Sequence, residues 1–223
     1  GVSDACNTIT LKENPDNPTP IIAGNVSFYN ESKNGSIPPS PIVSCLGKLK
    51  NIDHVLPMHF QSSGSDIIMI GERKNELGGS VYYQLLKELG ANVPKPDLIE
   101  TKNQIYAITD CAEKALPLSC HDISDGGIAT SIAEMTFGNN IGCSVKIPGH
   151  HKDHEVLFSE TGGFLLETDK NNTEKVVQIF ETYGLKTFLI GQTGGERILL
   201  NNVIDIKVVE AKDRWENGLR EKL

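Results

Sequence analysis

The alternation of apolar and polar positions divides this chain into short apolar runs suited to strands and longer stretches with helical spacing. One stretch organises the rest. Ser119 to Asn140 reads as a short buried strand, an abrupt polar turn, and a helix with Ile128, Ile132, Ala133, Met135 and Phe137 near helical spacing. Upstream, strands are expected over Thr19 to Asn30, Ile42 to Leu49 and Asp66 to Gly71, with Met58 to Gly64 as a polar connection. A helix is expected from Gly78-Gly79 through Leu89, and a longer amphipathic one from Leu98 to Leu116. Downstream come strands at Gly142 to Ile147 and Gly163 to Thr168, then a helix from about Asn172 to Tyr183. Strands near Thr187 to Gly191, Arg197 to Leu200 and Ile204 to Val208 follow, before a final helix carrying Trp215 and Leu219. Strands and helices mix without regular β-α-β alternation, which favours an α+β fold, a layered mixed sheet packed with helices, over a doubly wound one.

The start of the chain is organised differently. Val2, Ala5, Cys6 and Ile9 have helix-like spacing but no preceding strand to pack on, and the chain reads as cut from something longer. Leu11 to Pro20 is rich in Asn and Pro and is a loop. Turn residues crowd Glu31 to Pro41, so a domain boundary is expected there, dividing residues 1–37 from 38–223.

Composition narrows the function classes. At 223 residues, with 38% hydrophobic and 22% charged positions, the chain resembles an ordinary soluble globular protein. No apolar run approaches the roughly 20 residues of a membrane helix, so membrane spanning is excluded. The formal charge of -8 disfavours a nucleic-acid surface, which needs clustered Lys and Arg. An anionic small molecule remains open, held by backbone amides or through a divalent cation. Cys6, Cys45, Cys111, Cys120 and Cys143 are widely spaced and mostly set among apolar residues. They read as reduced, buried thiols of a cytoplasmic protein, with no Cys-x-x-Cys pair and no signal peptide.

Several residues could carry chemistry. Ser124 and Asp125 are N-cap candidates, and Gly126-Gly127 lets the backbone turn tightly at the helix start, where free amides and the dipole suit an anion. A capped helix with a Gly-Gly turn and no ligand explains the same residues. His121 and Asp122 are adjacent, so on a strand they face opposite sides and one of them could point into a site. His150, His151 and His154 with Asp153 and Glu155 lack the spacing of a helical zinc site and read as a solvated loop. Glu160 reads as an exposed turn carboxylate. On the expected strand Asn25 and Ser27 share a face, placing an amide oxygen beside a hydroxyl, and Gly24 leaves room against the backbone. Such oxygens suit magnesium with bound phosphate; an edge strand with polar residues facing water would look the same.

Five segments occur in one order and at one spacing: Gly24-Asn25-Val26-Ser27-Phe28-Tyr29-Asn30-Glu31, Pro39 to Gly47, Gly78-Gly79-Ser80, His121 to Ala129 with Ala133-Glu134, and Leu157-Phe158-Ser159-Glu160. Together they resemble the C-terminal part of the synthetase subunit of the phosphoribosylformylglycinamidine synthases, in the aminoimidazole ribonucleotide synthetase superfamily. The resemblance implies the end of a second ATP-binding N-terminal-type domain over residues 1–37, followed by a second C-terminal α+β domain. It also implies a reaction of purine biosynthesis. ATP activates the formamide oxygen of formylglycinamide ribonucleotide, and ammonia displaces phosphate to give the formylglycinamidine, ADP and phosphate. Ammonia would come from glutamine through a glutaminase subunit, with a small bridging subunit. By the resemblance, Gly24 contacts ATP, Asn25 binds magnesium and Ser27 contacts the ribonucleotide. Ser124, Asp125, Gly126 and Gly127 form either a structural turn or an auxiliary phosphate site. The family's catalytic histidine lies in the other half of the synthetase, so no catalytic residue is assigned here. A non-catalytic assembly module is the alternative, and retention of Gly24, Asn25 and Ser27 together favours the ligase. Another member of the superfamily, such as the aminoimidazole ribonucleotide synthetase itself or a selenophosphate or thiamine-phosphate kinase relative, is disfavoured by Tyr29-Asn30-Glu31.

Overall fold

The structure, a computed structural model, describes residues 1–25, 30–37 and 42–218. The chain divides into two compact units, Gly1–Asp53 and His54–Leu223. The Pro-rich segment 38–41, beside the expected boundary, lies outside the described residues.

The first unit holds helix α1 (Val2–Thr8) and a two-stranded hairpin, β1 (Glu31–Ser32) with β2 (Gly35–Ser36), inside the expected hinge. None of its described residues is buried. Two expectations are corrected here. Residues 19–25 and 30 of the expected Thr19 to Asn30 strand form no strand, and neither does the described run Ile42 to Leu49. A strand exists only through its ladder partners, and this unit offers these runs none among the described residues. Their apolar side chains stay in water instead, with Ile42 95% and Leu46 88% exposed.

The second unit is built on one sheet. In chain order its elements are β3 (Asp66–Ile70), α2 (Val81–Leu85), α3 (Leu98–Glu113), β4 (Pro117–Asp122), α4 (Gly127–Phe137), β5 (Cys143–Val145) and α5 (Asp153–Phe158). They continue with β6 (Phe164–Thr168), α6 (Thr173–Thr182), β7 (Thr187–Thr193), β8 (Arg197–Leu200), β9 (Ile204–Lys207) and α7 (Val208–Asn217). The seven strands lie in the order β4-β6-β3-β7-β5-β8-β9, antiparallel throughout except for the parallel pair β5 and β8. This is the mixed, layered α+β sheet expected from the sequence.

The central strand shows why an unbroken apolar run folds this way. Ile67 and Met69 of β3 enter a core with α4 residues Ile128, Ile132 and Met135, while Ile68 and Ile70 enter a second core with Ala107 and Cys111 of α3 and Val176 and Phe180 of α6. Period-two alternation sends successive side chains to opposite faces, and helices on both faces bury them all. Each fully buried Ile or Met contributes about 1.5–3 kcal/mol relative to exposure. The helix expected from Gly78-Gly79 to Leu89 is shorter, Val81–Leu85, capped by the Ser80 hydroxyl accepting from the Tyr83 amide at 3.3 Å. It buries no residue, so no packing extends it beyond its cap. Helix α7 is described to Asn217, and Leu219 lies outside the described residues.

Candidate functional site

Three loops meet at one end of the sheet: residues 71–80 after β3, 123–126 between β4 and α4, and 159–163 before β6. The turn before α4 departs from its expected capping. The N-cap is Gly126 in the left-handed region, φ 77°, with no side-chain cap. Ser124 and Asp125 are exposed and lie outside the helix; the Ser124 carbonyl accepts from the Gly127 amide at 3.0 Å. Both glycines turn left-handed, and a Cβ on Gly127, φ 68°, would come within 2.7 Å of the carbonyl oxygens of Leu157 and Ser159. Gly127 is therefore required by close approach of the 157–159 backbone, and Gly126 is favoured by its left-handed φ.

The free amide expected to attract an anion already has one. Oε1 of Glu160 accepts from the Gly126 amide at 2.9 Å and from the Val81 amide at 2.8 Å, joining the α4 turn to the start of α2. Glu160 reads from sequence as a solvent-facing turn residue; its partners are 34 and 79 positions away, a distance no local pattern reports.

Arg73 carries no sequence signal, yet it is 6% exposed and ties the loops together. Its Nη1 donates to the Thr161 carbonyl at 2.6 Å and its Nη2 to the Gly162 carbonyl at 2.7 Å, while its Nε is buried without a hydrogen bond. Burial pushes the guanidinium down to about 10, and the nearby Glu76 carboxylate acts in the opposite direction. Glu76 in turn accepts from the Thr161 hydroxyl at 2.7 Å, and Ile123 donates its amide to the Gly163 carbonyl at 2.8 Å. These bonds organise the wall of a cleft of about 820 Å³ between the loops, the start of α3 and the end of α6. Asp122, Glu160 and Glu76 line it, and so do Lys74, Lys95 and Lys186.

The remaining sequence-nominated residues are placed as follows. Gly24 and Asn25 are exposed in the first unit, and Ser27 lies outside the described residues. Asp122 lines the cleft, while His121 turns away from it towards Glu134 of α4. Of the histidine-rich segment, Asp153 accepts from the Asn201 amide group at 2.9 Å and Glu155 from that of Asn75 at 2.8 Å, so both carboxylates fix α5. Among the described residues no group of three His, Cys, Asp or Glu side chains could hold a metal ion. None of the five cysteines forms a disulfide; Cys111 and Cys143 are buried, but Cys45 is exposed, against expectation. No helix among the described residues is long and apolar enough to cross a membrane.

Residues 62–199 match the model of the family described as AIR synthase related protein, C-terminal domain. The chain belongs to this family. Strands β3 to β7 and helices α2 to α6 fall within the matched region. The synthetase subunit PurL of phosphoribosylformylglycinamidine synthase from Methanothrix thermoacetophila is 35% identical over 230 residues, covering 100% of this chain and 30% of that protein. PurL of Thermoplasma volcanium is 33% identical over 225 residues, covering 98% of this chain and 28% of that protein. This chain thus spans less than a third of the curated relatives it matches. Among solved structures, PurL from T. maritima complexed with FGAR superposes with a TM-score of 0.63 at 17% identity, over 72% of this chain and 30% of that one. The same protein complexed with ATP gives 0.58 at 18% identity, over 72% and 28%. A PurLQS structure from Thermotoga maritima gives 0.58 at 20%, over 70% and 27%. At these identities the solved structures establish the shared fold.

Proposed function

We infer that this chain is one part of an ATP-dependent carbon–nitrogen ligase of purine biosynthesis, the synthetase subunit of phosphoribosylformylglycinamidine synthase. The observation that carries this reading is the 35% identity to a PurL subunit across the whole chain, which extends beyond the family domain into the first unit. On this reading residues 1–37 complete an ATP-binding domain supplied mainly by the rest of the synthetase, and 38–223 form a C-terminal α+β domain. The exposed apolar side chains of the first unit support it: Ile21, Ile22 and Ile42 are an unfinished surface, of the kind another domain covers.

Within that subunit Gly24 meets ATP, Asn25 holds magnesium and Ser27 meets formylglycinamide ribonucleotide. An amide oxygen is a hard ligand that suits Mg²⁺, and Asn25 is exposed and able to offer it. One neutral oxygen does not hold the ion alone, so phosphate oxygens and the other half of the synthetase supply the rest. The ion would neutralise phosphate charge; this chain's contribution is to fix one coordination position and leave the Gly24 backbone open to the nucleotide. Further partners on this reading are a glutaminase subunit and a small bridging subunit, in the cytoplasm. The second unit's Gly126 turn, its amide held by Glu160, acts as structural support.

The test is calorimetric titration of magnesium-ATP into this chain, alone and mixed with the remaining part of the synthetase, followed by ammonia-dependent phosphate release. Binding and turnover in the mixture, both lost with Asn25→Ala, are expected. A mixture that turns over equally well with Asn25→Ala would remove the assigned role of this residue, and a mixture without activity would leave the chain an assembly module.

A further inference from the structure

Away from the cleft, one buried side chain is placed so that its proton count decides what it holds. His121, near the end of β4, has a side chain only 9% exposed. Its Nδ1 lies 2.6 Å from the Asp122 carbonyl oxygen, and its Nε2 lies 3.2 Å from Oε2 of Glu134 on α4. A carbonyl oxygen only accepts, so Nδ1 is the protonated nitrogen. Nε2 then faces a carboxylate oxygen at ion-pair distance but without hydrogen-bond alignment. A neutral ring sets a lone pair against that oxygen, whereas an imidazolium sets a cation beside it. The other oxygen of Glu134 accepts from the indole N–H of Trp215 at 3.3 Å, and the indole leans on Phe137 with ring centres 5.7 Å apart. Three elements, β4, α4 and α7, therefore meet through one carboxylate.

We propose that His121, Glu134 and Trp215 form a proton-controlled latch between β4, α4 and α7. With both ring nitrogens protonated, His121 draws Glu134 inward, and Glu134 holds the indole. Loss of the Nε2 proton removes that attraction. Glu134, with 24% of its side chain exposed, then turns to water and lets the last turn of α7 move. Other charged and titratable groups face the latch from each side. On β4 the Asp122 carboxylate, 3.3 Å from Nδ1, also favours the cationic ring. On α7 Lys212, whose Nζ donates to the Phe137 carbonyl at 3.0 Å, opposes it. From the segment before β3 the His59 ring packs beside Gly138 at the end of α4. The latch bears on the cleft through Asp122, which lines it, and through α4, whose Ser131 hydroxyl donates to the Asp122 carbonyl at 2.9 Å.

Trp215 is the chain's single tryptophan, so its emission reads the latch directly. Emission is followed across about pH 5 to 8, where imidazoles change charge, with far-ultraviolet circular dichroism confirming that the chain stays folded. A one-proton step is expected, the emission moving to longer wavelength as pH rises. His59→Gln retains the step and His121→Gln removes it. Glu134→Gln also removes this acid-closed step, because its amide N–H2 donates only to the neutral ring and meets the Nε2 proton of the cationic one, so protonation no longer tightens the contact. Should His121→Gln fail to fold, the His121 ring-proton resonance of the unaltered chain must titrate together with the Trp215 step. Flat emission from the folded chain, a step in the same direction that survives Glu134→Gln, or a step removed by His59→Gln overturns the proposal.

Discussion

Glu167 offers the sharpest test of how the second unit is held together. It lies on β6 and is completely buried. Oε2 accepts from the Gln61 amide at 2.7 Å and from the Ser119 hydroxyl at 2.9 Å, and Oε1 accepts from the Ser62 amide at 2.9 Å. One carboxylate therefore fastens the segment before β3 to two strands. Hydrogen bonds to a charged group are worth about 1.5–3 kcal/mol each, so three give an upper bound of roughly 4–9 kcal/mol. The side chains of Gln61 and Ser62 are exposed, and their amides regain some water once released. Glu167→Leu, which fills most of the volume, should therefore cost about 3–5 kcal/mol. Glu167→Gln keeps one acceptor oxygen where two donors converge and sets an N–H against the third, so its cost is about 1–2 kcal/mol. With a urea slope of about 2 kcal/mol/M, the midpoint falls by roughly 2 M for the Leu variant and less than 1 M for the Gln variant. A Leu variant within about 1 kcal/mol of the parent, or a Gln variant as damaged as the Leu one, would refute the reasoning.

Other consequences follow from single positions. Burial pushes the Cys143 thiol up to about 12, opposed by a backbone hydrogen bond from Leu199, and burial with the Asp122 and Cys111 charges pushes Cys120 to about 12. At about pH 8 iodoacetamide should label exposed Cys45 and spare these two until the chain unfolds, as peptide mass mapping would show. Because both folded-state values lie above the ordinary 9.0, the unfolded chain ionises first; their stability contribution is whole below about pH 9 and declines above it. Denaturation midpoints should fall over that window, with a shallower slope in Cys143→Ala. Gly127→Ala combines a positive φ with carbonyl oxygens 2.7 Å away and should cost about 3 kcal/mol or more. Gly126→Ala, obstructed by the Thr130 side chain alone among its near neighbours, should cost about 1–2 kcal/mol; equal thermal shifts would contradict this. Arg73→Met strips the Thr161 and Gly162 carbonyls of their donors and should cost about 2–4 kcal/mol, with faster hydrogen exchange at the Ile123 amide.

What the sequence made legible and what it hid differ in range. The apolar run at Ile67 to Ile70 and the helical spacing of Ile128, Ile132 and Met135 place two cores within a few residues of their true bounds, because burial periodicity is a local property. The Thr19 and Ile42 runs have strand-like composition too, yet the structure forms no strand from their described residues, since pairing depends on a neighbour that composition does not supply. Glu167 and Arg73 lay beyond such reading altogether: their partners stand 48 to 106 positions away, and an isolated Glu or Arg in a strand or loop carries no sign of burial. The Gly126-Gly127 turn is the instructive case. Its backbone was legible, because two glycines before a helix need left-handed geometry, and both have it. Its chemistry was not, because the amides that attract a phosphate attract a carboxylate of the same chain for the same electrostatic reason. Glu160 takes that position here, so a helix start rich in glycine nominates an anion without saying whether the protein has already provided one.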